Sequence, residues 1–153
     1  MLPSLILPPL LNASLTTPPS TTPLSTPLSA PTCWQQQPPG HHQLWPTIFR
    51  DCKASIAQIP LSGSGRKPLV FSHNPDIGFE VPHSWQSGNC VVEIDVVEDD
   101  VVETTSFENV VEEATRLAKS CVIAKPHLGG KVYVGKEGGL QIWVFGFGRV
   151  GGG

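Results

Sequence analysis

Apolar positions change their period several times along this chain, and each change predicts an element. Within TIFRDCKASIAQI (47–59), Ile48, Cys52, Ile56 and Ile59 recur at intervals of four, four and three, the period of one helix face, and Pro60 stops the helix. LVFS (69–72) reads as a short strand after the flexible connector SGSGRKP. Residues 73–89, with prolines at 75 and 82, read as a long loop in which Trp85 covers the edge of the core. That loop ends in Ser87-Gly88-Asn89, a tight turn that delivers Cys90 to the head of the next strand. In CVVEIDVV (90–97) the period becomes two: Val92, Ile94 and Val96 share one face, and Val91, Glu93, Asp95 and Val97 the other.

The helical period returns in TSFENVVEEATRLAKSCV (105–122). Phe107, Val110, Val111, Ala114, Leu117, Ala118 and Cys121 form one continuous apolar stripe, and Thr105 with Glu108 makes a capping-box pattern. Its glutamates come early and Arg116 and Lys119 late, as the helix dipole favours. KVYVG, KEGG and LQIWVFG then predict an antiparallel hairpin, with Val132, Val134, Ile142 and Val144 on one face and Tyr133, Trp143 and Phe145 on the other. The order is helix, strand, strand, helix, strand, strand. The simplest solution is an α+β two-layer sandwich, two helices packed on a mainly antiparallel four-stranded sheet.

Composition places that domain at 33–147 and changes the picture at both ends. MLPSLILPPLLNAS (1–14) has an apolar run of signal-peptide size, although it lacks Lys and Arg and carries Pro3, Pro8 and Pro9. Residues 15–32, rich in Pro, Ser and Thr, cannot bury enough apolar surface to offset the entropy of ordering, and are expected to be a disordered leader open to O-glycosylation. The sequon Asn12-Ala13-Ser14 falls where the signal would be cut. Trp34 and Trp45 are expected to pack on the domain, and residues 148–153 to form a flexible tail.

Cys33, Cys52, Cys90 and Cys121 are spaced by 19, 38 and 31 residues, without the close pairs of a zinc or thioredoxin-like site. An even number spread so widely predicts two disulfides, an oxidising compartment and therefore export. Four cysteines allow three connectivities. The layer arrangement suggests Cys52 with Cys90, beneath the helix that carries Cys52, and Cys33 with Cys121 as a staple for the N-terminal segment; Cys52 with Cys121 is the competing arrangement.

Charge narrows the partners. A net charge of −3 gives no general attraction to nucleic acid or anionic lipid, and no apolar stretch approaches the length of a membrane span. His41 and His42 read as a solvated loop pair, and His73 could face Asp76 across a turn. The acidic run Glu93, Asp95, Glu98, Asp99, Asp100, Glu103 lacks calcium-loop spacing and reads as a solvated strand face and turn. GSGRKP does not match a phosphate-binding loop. No catalytic residue, cofactor site or metal site stands out. The aromatic set, above all Trp85, Tyr133 and Trp143, is either core or a surface for stacking sugars and docking a partner.

Asp51-Cys52 opening a helix that ends near Ile59, Trp85 and Gly88 ahead of Cys90, the helix ending at Cys121 and the glycine pair before KVYVG together resemble fungal small secreted cysteine-rich proteins. The resemblance spans about residues 47–146 and extends to effector-type extracellular proteins and killer-toxin-like α/β sandwiches. It implies an extracellular or cell-surface role without a cofactor, and brings no catalytic residues. The expectation is a secreted, monomeric, non-enzymatic interaction protein whose partner is an extracellular protein or glycan. The alternatives are a module for cell-wall glycan, which needs aromatic rings presented to solvent, and a small extracellular hydrolase, which needs His73 or His127 to meet a carboxylate or hydroxyl in a cleft.

Overall fold

In the computed structural model, which describes residues 29–39, 43–61, 65–123 and 128–148, the hydrophobic periods become strands and helices close to where the pattern sets them. The strands are β1 (Thr32–Cys33), β2 (Leu44–Trp45), β3 (Leu69–Ser72), β4 (Phe79–Glu80), β5 (His83–Ser87), β6 (Cys90–Val96), β7 (Glu103–Thr105), β8 (Gly129–Val134) and β9 (Leu140–Phe147). The helices are α1 (Phe49–Ile56) and α2 (Phe107–Ala118), the latter running into a π-helical turn, Lys119–Ile123. The fold is α+β, with two helices, a mainly antiparallel main sheet and two disulfides.

The main sheet runs β1-β8-β9-β6-β5, with β2 added to the end of β9. It is not the expected four-stranded sheet, because β3 lies outside it in a second sheet, β4-β3-β7. The cause is local. β5, inside the segment read as a loop, reaches β6 through the two-residue turn Gly88-Asn89 and takes the edge of β6 that β3 would have needed. β3 pairs instead with β4 in parallel and β7 antiparallel, and buries Phe71 in a cluster with Phe79, Phe107 and Trp85. Trp85 is 8% exposed and faces the helices, so it belongs to the core and not to a binding surface.

One face of the main sheet carries the core. Val92, Ile94, Val132, Ile142 and Val144 are fully buried beneath α1 and α2, together with Val110, Ala114, Leu117 and Ala118 of α2. Both bridges sit at this layer: Cys52–Cys90 ties α1 to β6, and Cys33–Cys121 ties β1 to the π-turn after α2, the pairing suggested by the layers. Ser55, also fully buried, donates to the Cys90 carbonyl at 2.8 Å, so helix and strand are held twice at one point.

Several local expectations shift. The N-cap of α2 is Ser106, whose hydroxyl accepts from the Asn109 N–H, while Thr105 closes β7. Ile48 stands just before α1 and is half exposed, so the buried stripe begins at Cys52. Trp34 packs as expected, but Trp45 is 48% exposed. β9 continues through Gly146 to Phe147, which pairs with Leu44. At the other end Ser29 is already docked, its hydroxyl accepting from Tyr133 N–H at 3.0 Å and its carbonyl accepting from Arg116. The signal peptide, the leader before Ser29, His41, His42, His127 and residues 149–153 lie outside the described residues.

Candidate functional site

Because side chains alternate along a strand, the residues between the buried ones emerge together on the outer face of the main sheet. Register lines them up across strands. Ser84, Glu93, Trp143 and Lys131 form one row on β5, β6, β9 and β8; Asp95, Gln141 and Tyr133 form the next; Val91 and Phe145 lie in a third. Along β9 the same face carries Gln141, Trp143, Phe145 and Phe147, a stripe with aromatic rings at three successive outward positions. The sequence suggests Tyr133 and Trp143 for this surface, and the structure brings them to adjacent strands.

The polar groups on this face differ in how far the fold already uses them. Trp143 Nε1 donates to Gln141 Oε1 at 3.1 Å, and the Trp143 ring meets Trp34 edge-on at 6.2 Å between centroids. Lys131 Nζ donates to the Tyr133 hydroxyl at 2.8 Å and lies 5.1 Å from the centre of that ring, a cation–π contact. Glu93 is different. Its half-buried carboxylate has no hydrogen-bond or ion-pair partner among the described residues. Burial, with the neighbouring Asp95 charge, pushes the Glu93 carboxyl above its ordinary value of 4.5.

Asp95, by contrast, is held. His73, just past β3, places Nε2 at 2.7 Å from Asp95 Oδ1 and Nδ1 at 3.3 Å from Asp99 Oδ1. The hydrogen bond to Asp95 raises the His73 pKa above 6.5, against a partial opposing effect of desolvation and with help from the Asp95 and Asp99 charges. Both ring nitrogens thus face carboxylates, an arrangement that suits an imidazolium bridging two sheets and leaves no ring lone pair to act as a base. Its partners are Asp95 and Asp99, not the expected Asp76.

The rest of the acidic run is not uniformly solvated either. Glu103 is 6% exposed and accepts the backbone N–H groups of Thr104, Lys136 and Gly139 at 2.8, 3.2 and 3.0 Å, so it clamps the β8–β9 turn onto β7. Gly135, at φ +97°, leaves that carboxylate room: a Cβ there would stand 2.1 Å from Glu103 Cδ. Charge alone in the sequence does not separate this buried clamp from the exposed Glu98, Asp99 and Asp100.

A shallow, open cleft of about 380 Å³ lies where β9 ends, lined by Trp45, Pro46, Gly88, Asn89, Phe147 and Gly148. Asn89 is the hub beneath it. Its N–H donates to Asp51, its carbonyl accepts from Phe147 N–H, its amide donates to the Pro46 carbonyl, and its side-chain oxygen accepts from Thr47. Gly88 has φ +57°, and an added Cβ would fall 2.1 Å from the Asp51 carboxylate, so the turn before Cys90 requires glycine on both counts. With its polar atoms committed to the fold, the cleft offers chiefly the apolar surfaces of Trp45 and Phe147, which are 48% and 45% exposed. Reading the alternation through Gly146 would have placed Phe147 on the outer face in advance.

Among the described residues, no group of three or more His, Cys, Asp and Glu side chains is disposed to hold a metal ion, and no helix is long and apolar enough to cross a membrane. Compared with known protein families, curated proteins and solved structures, the chain matches none.

Proposed function

We propose that this is an exported, non-enzymatic interaction protein of the small cysteine-rich type, working at the cell surface or in the extracellular space, and that it meets its partner through the outer face of its main sheet. The observation that carries the reading is the asymmetry of that sheet. One face is sealed under two helices, while the other presents Trp143, Phe145, Phe147 and Tyr133 among Glu93, Asp95 and Lys131. Aromatic side chains at a polar surface supply large contact area at little cost in conformational entropy, which is why interfaces are enriched in them. Two disulfides in so short a chain fit an oxidising compartment.

The test has two parts. Intact mass of the protein recovered from culture medium should show both bridges and loss of the N-terminal segment; retention inside cells with four free thiols would defeat the export claim. Labelled protein should then bind cell surfaces in a way that Phe147→Asp weakens and Lys119→Glu, on the helix layer, does not. Equal binding by both variants would remove the outer face from the proposal.

A further inference from the structure

The outer face also carries information about the chemistry of its partner, and the inference drawn from it rests on the proposal that this face is the binding surface. Trp143, Phe145 and Phe147 occur at every second residue of β9, so their Cβ atoms step along the sheet at about 7 Å intervals in a line. A line of rings suits a linear ligand with flat apolar faces. The line is flanked by opposite hydrogen-bonding capacities: in the central row Glu93 stands on β6 on one side of Trp143 and Lys131 on β8 on the other, about 10 Å apart across two strand spacings. Gln141 and the Tyr133 hydroxyl, one row away, add groups that both donate and accept.

Charge complementarity selects among linear ligands. Glu93 and Asp95 on the same edge of the stripe repel a polyanion, which argues against nucleic acid and acidic polysaccharides. A cationic segment would meet Lys131 across the stripe, and Asp95 is already ion-paired with His73. What remains matched is a neutral ligand whose C–H faces lie on rings and whose hydroxyls both donate and accept. Glu93 accepts from such hydroxyls without breaking a bond within the protein, since its carboxylate has no partner there to lose.

We propose that the outer face of β9, flanked by Glu93 on β6 and Lys131 on β8, binds a neutral linear polysaccharide along the strand.

The experiment is pull-down of the full-length, oxidised protein on insoluble chitin, cellulose and β-1,3-glucan, with affinities for the matching hexasaccharides measured by calorimetry. Binding of at least one neutral polymer is expected, insensitive to salt because no net charge is neutralised. Phe147→Ala, at an exposed position that leaves the core intact, and Lys131→Ala should each weaken the matching hexasaccharide, and Trp143→Ala should weaken it about tenfold or more if that variant keeps its melting temperature. Absence of binding to all three polymers and their hexasaccharides overturns the inference. So does binding that Phe147→Ala and Lys131→Ala both leave unchanged, or binding that salt abolishes. If cell-surface binding depends on Phe147 but no hexasaccharide competes with it, the interaction surface stands and the polysaccharide falls; if cell-surface binding is indifferent to the outer face, both fall together.

Discussion

Two faces of the same strands set the terms of this protein. On β6 and β9 the residues turned to the helices, Val92, Ile94, Ile142 and Val144, are fully buried, while their immediate neighbours Glu93, Asp95, Trp143 and Phe145 are turned away and half-buried. Hydrophobicity alone does not separate the two sets, because Trp143 and Phe145 are as apolar as anything in the core. What separates them is the period of two, which commits each side chain to one face, and the presence of a helix layer on one face only. The difference teaches that an apolar residue in this sheet is core only if α1 or α2 covers it.

The sharpest way to break the comparison is to remove what holds the helix layer down. Cys52–Cys90 and Cys33–Cys121 span 38 and 88 residues, and in the chain-entropy model each closure stabilises the fold by about 4 to 5 kcal/mol. Since a domain of this size has a net stability of only about 5 to 15 kcal/mol, reduction of both bridges should lower the melting temperature drastically or unfold the protein at ambient temperature. An unchanged melting temperature after complete reduction would show that the bridges do not carry the layer. Next in size is a pair of substitutions, one on each side. Leu117→Ala, fully buried on α2, should cost about 2 to 5 kcal/mol in denaturant unfolding, whereas Phe147→Ala on the outer face should cost much less. Equal costs would mean that the outer face is packed like the inner one.

The smallest effect sharpens the electrostatics of the outer face. His73 has its pKa raised by Asp95, so its stabilising effect is fully present below the ordinary value of 6.5 and is lost as pH rises through the raised one. His73→Gln should therefore lower the melting temperature near pH 6 more than near pH 9. Glu93 has its carboxyl raised by burial, so ionising it costs stability above its raised pKa and costs nothing once pH falls below 4.5. Glu93→Gln should then raise the melting temperature at pH 7, with the gain vanishing near pH 4. A His73→Gln effect that does not change with pH would show that the bridge to Asp95 and Asp99 is not ionic in solution.

By itself the sequence determined whatever depends on local period and on covalent chemistry. The α2 stripe from Phe107 to Cys121, the alternation of β6 and the β8–β9 hairpin could be read residue by residue, since each is dictated by the 3.6 or 2.0 repeat of its own backbone. The disulfide pairing followed once helix and strand were stacked in layers. Tertiary structure alone decided what depends on competition between distant segments. β5 reached the edge of β6 through a short turn before β3 could, and so sent β3 into a second sheet. Glu103 left the acidic run to clamp a turn whose N–H groups lie 33 and 36 residues away, and His73 found Asp95 rather than Asp76. In each case the chain offers several partners of the same chemistry, and what selects among them is which backbone groups and side chains the closed fold leaves within about 3 Å of one another.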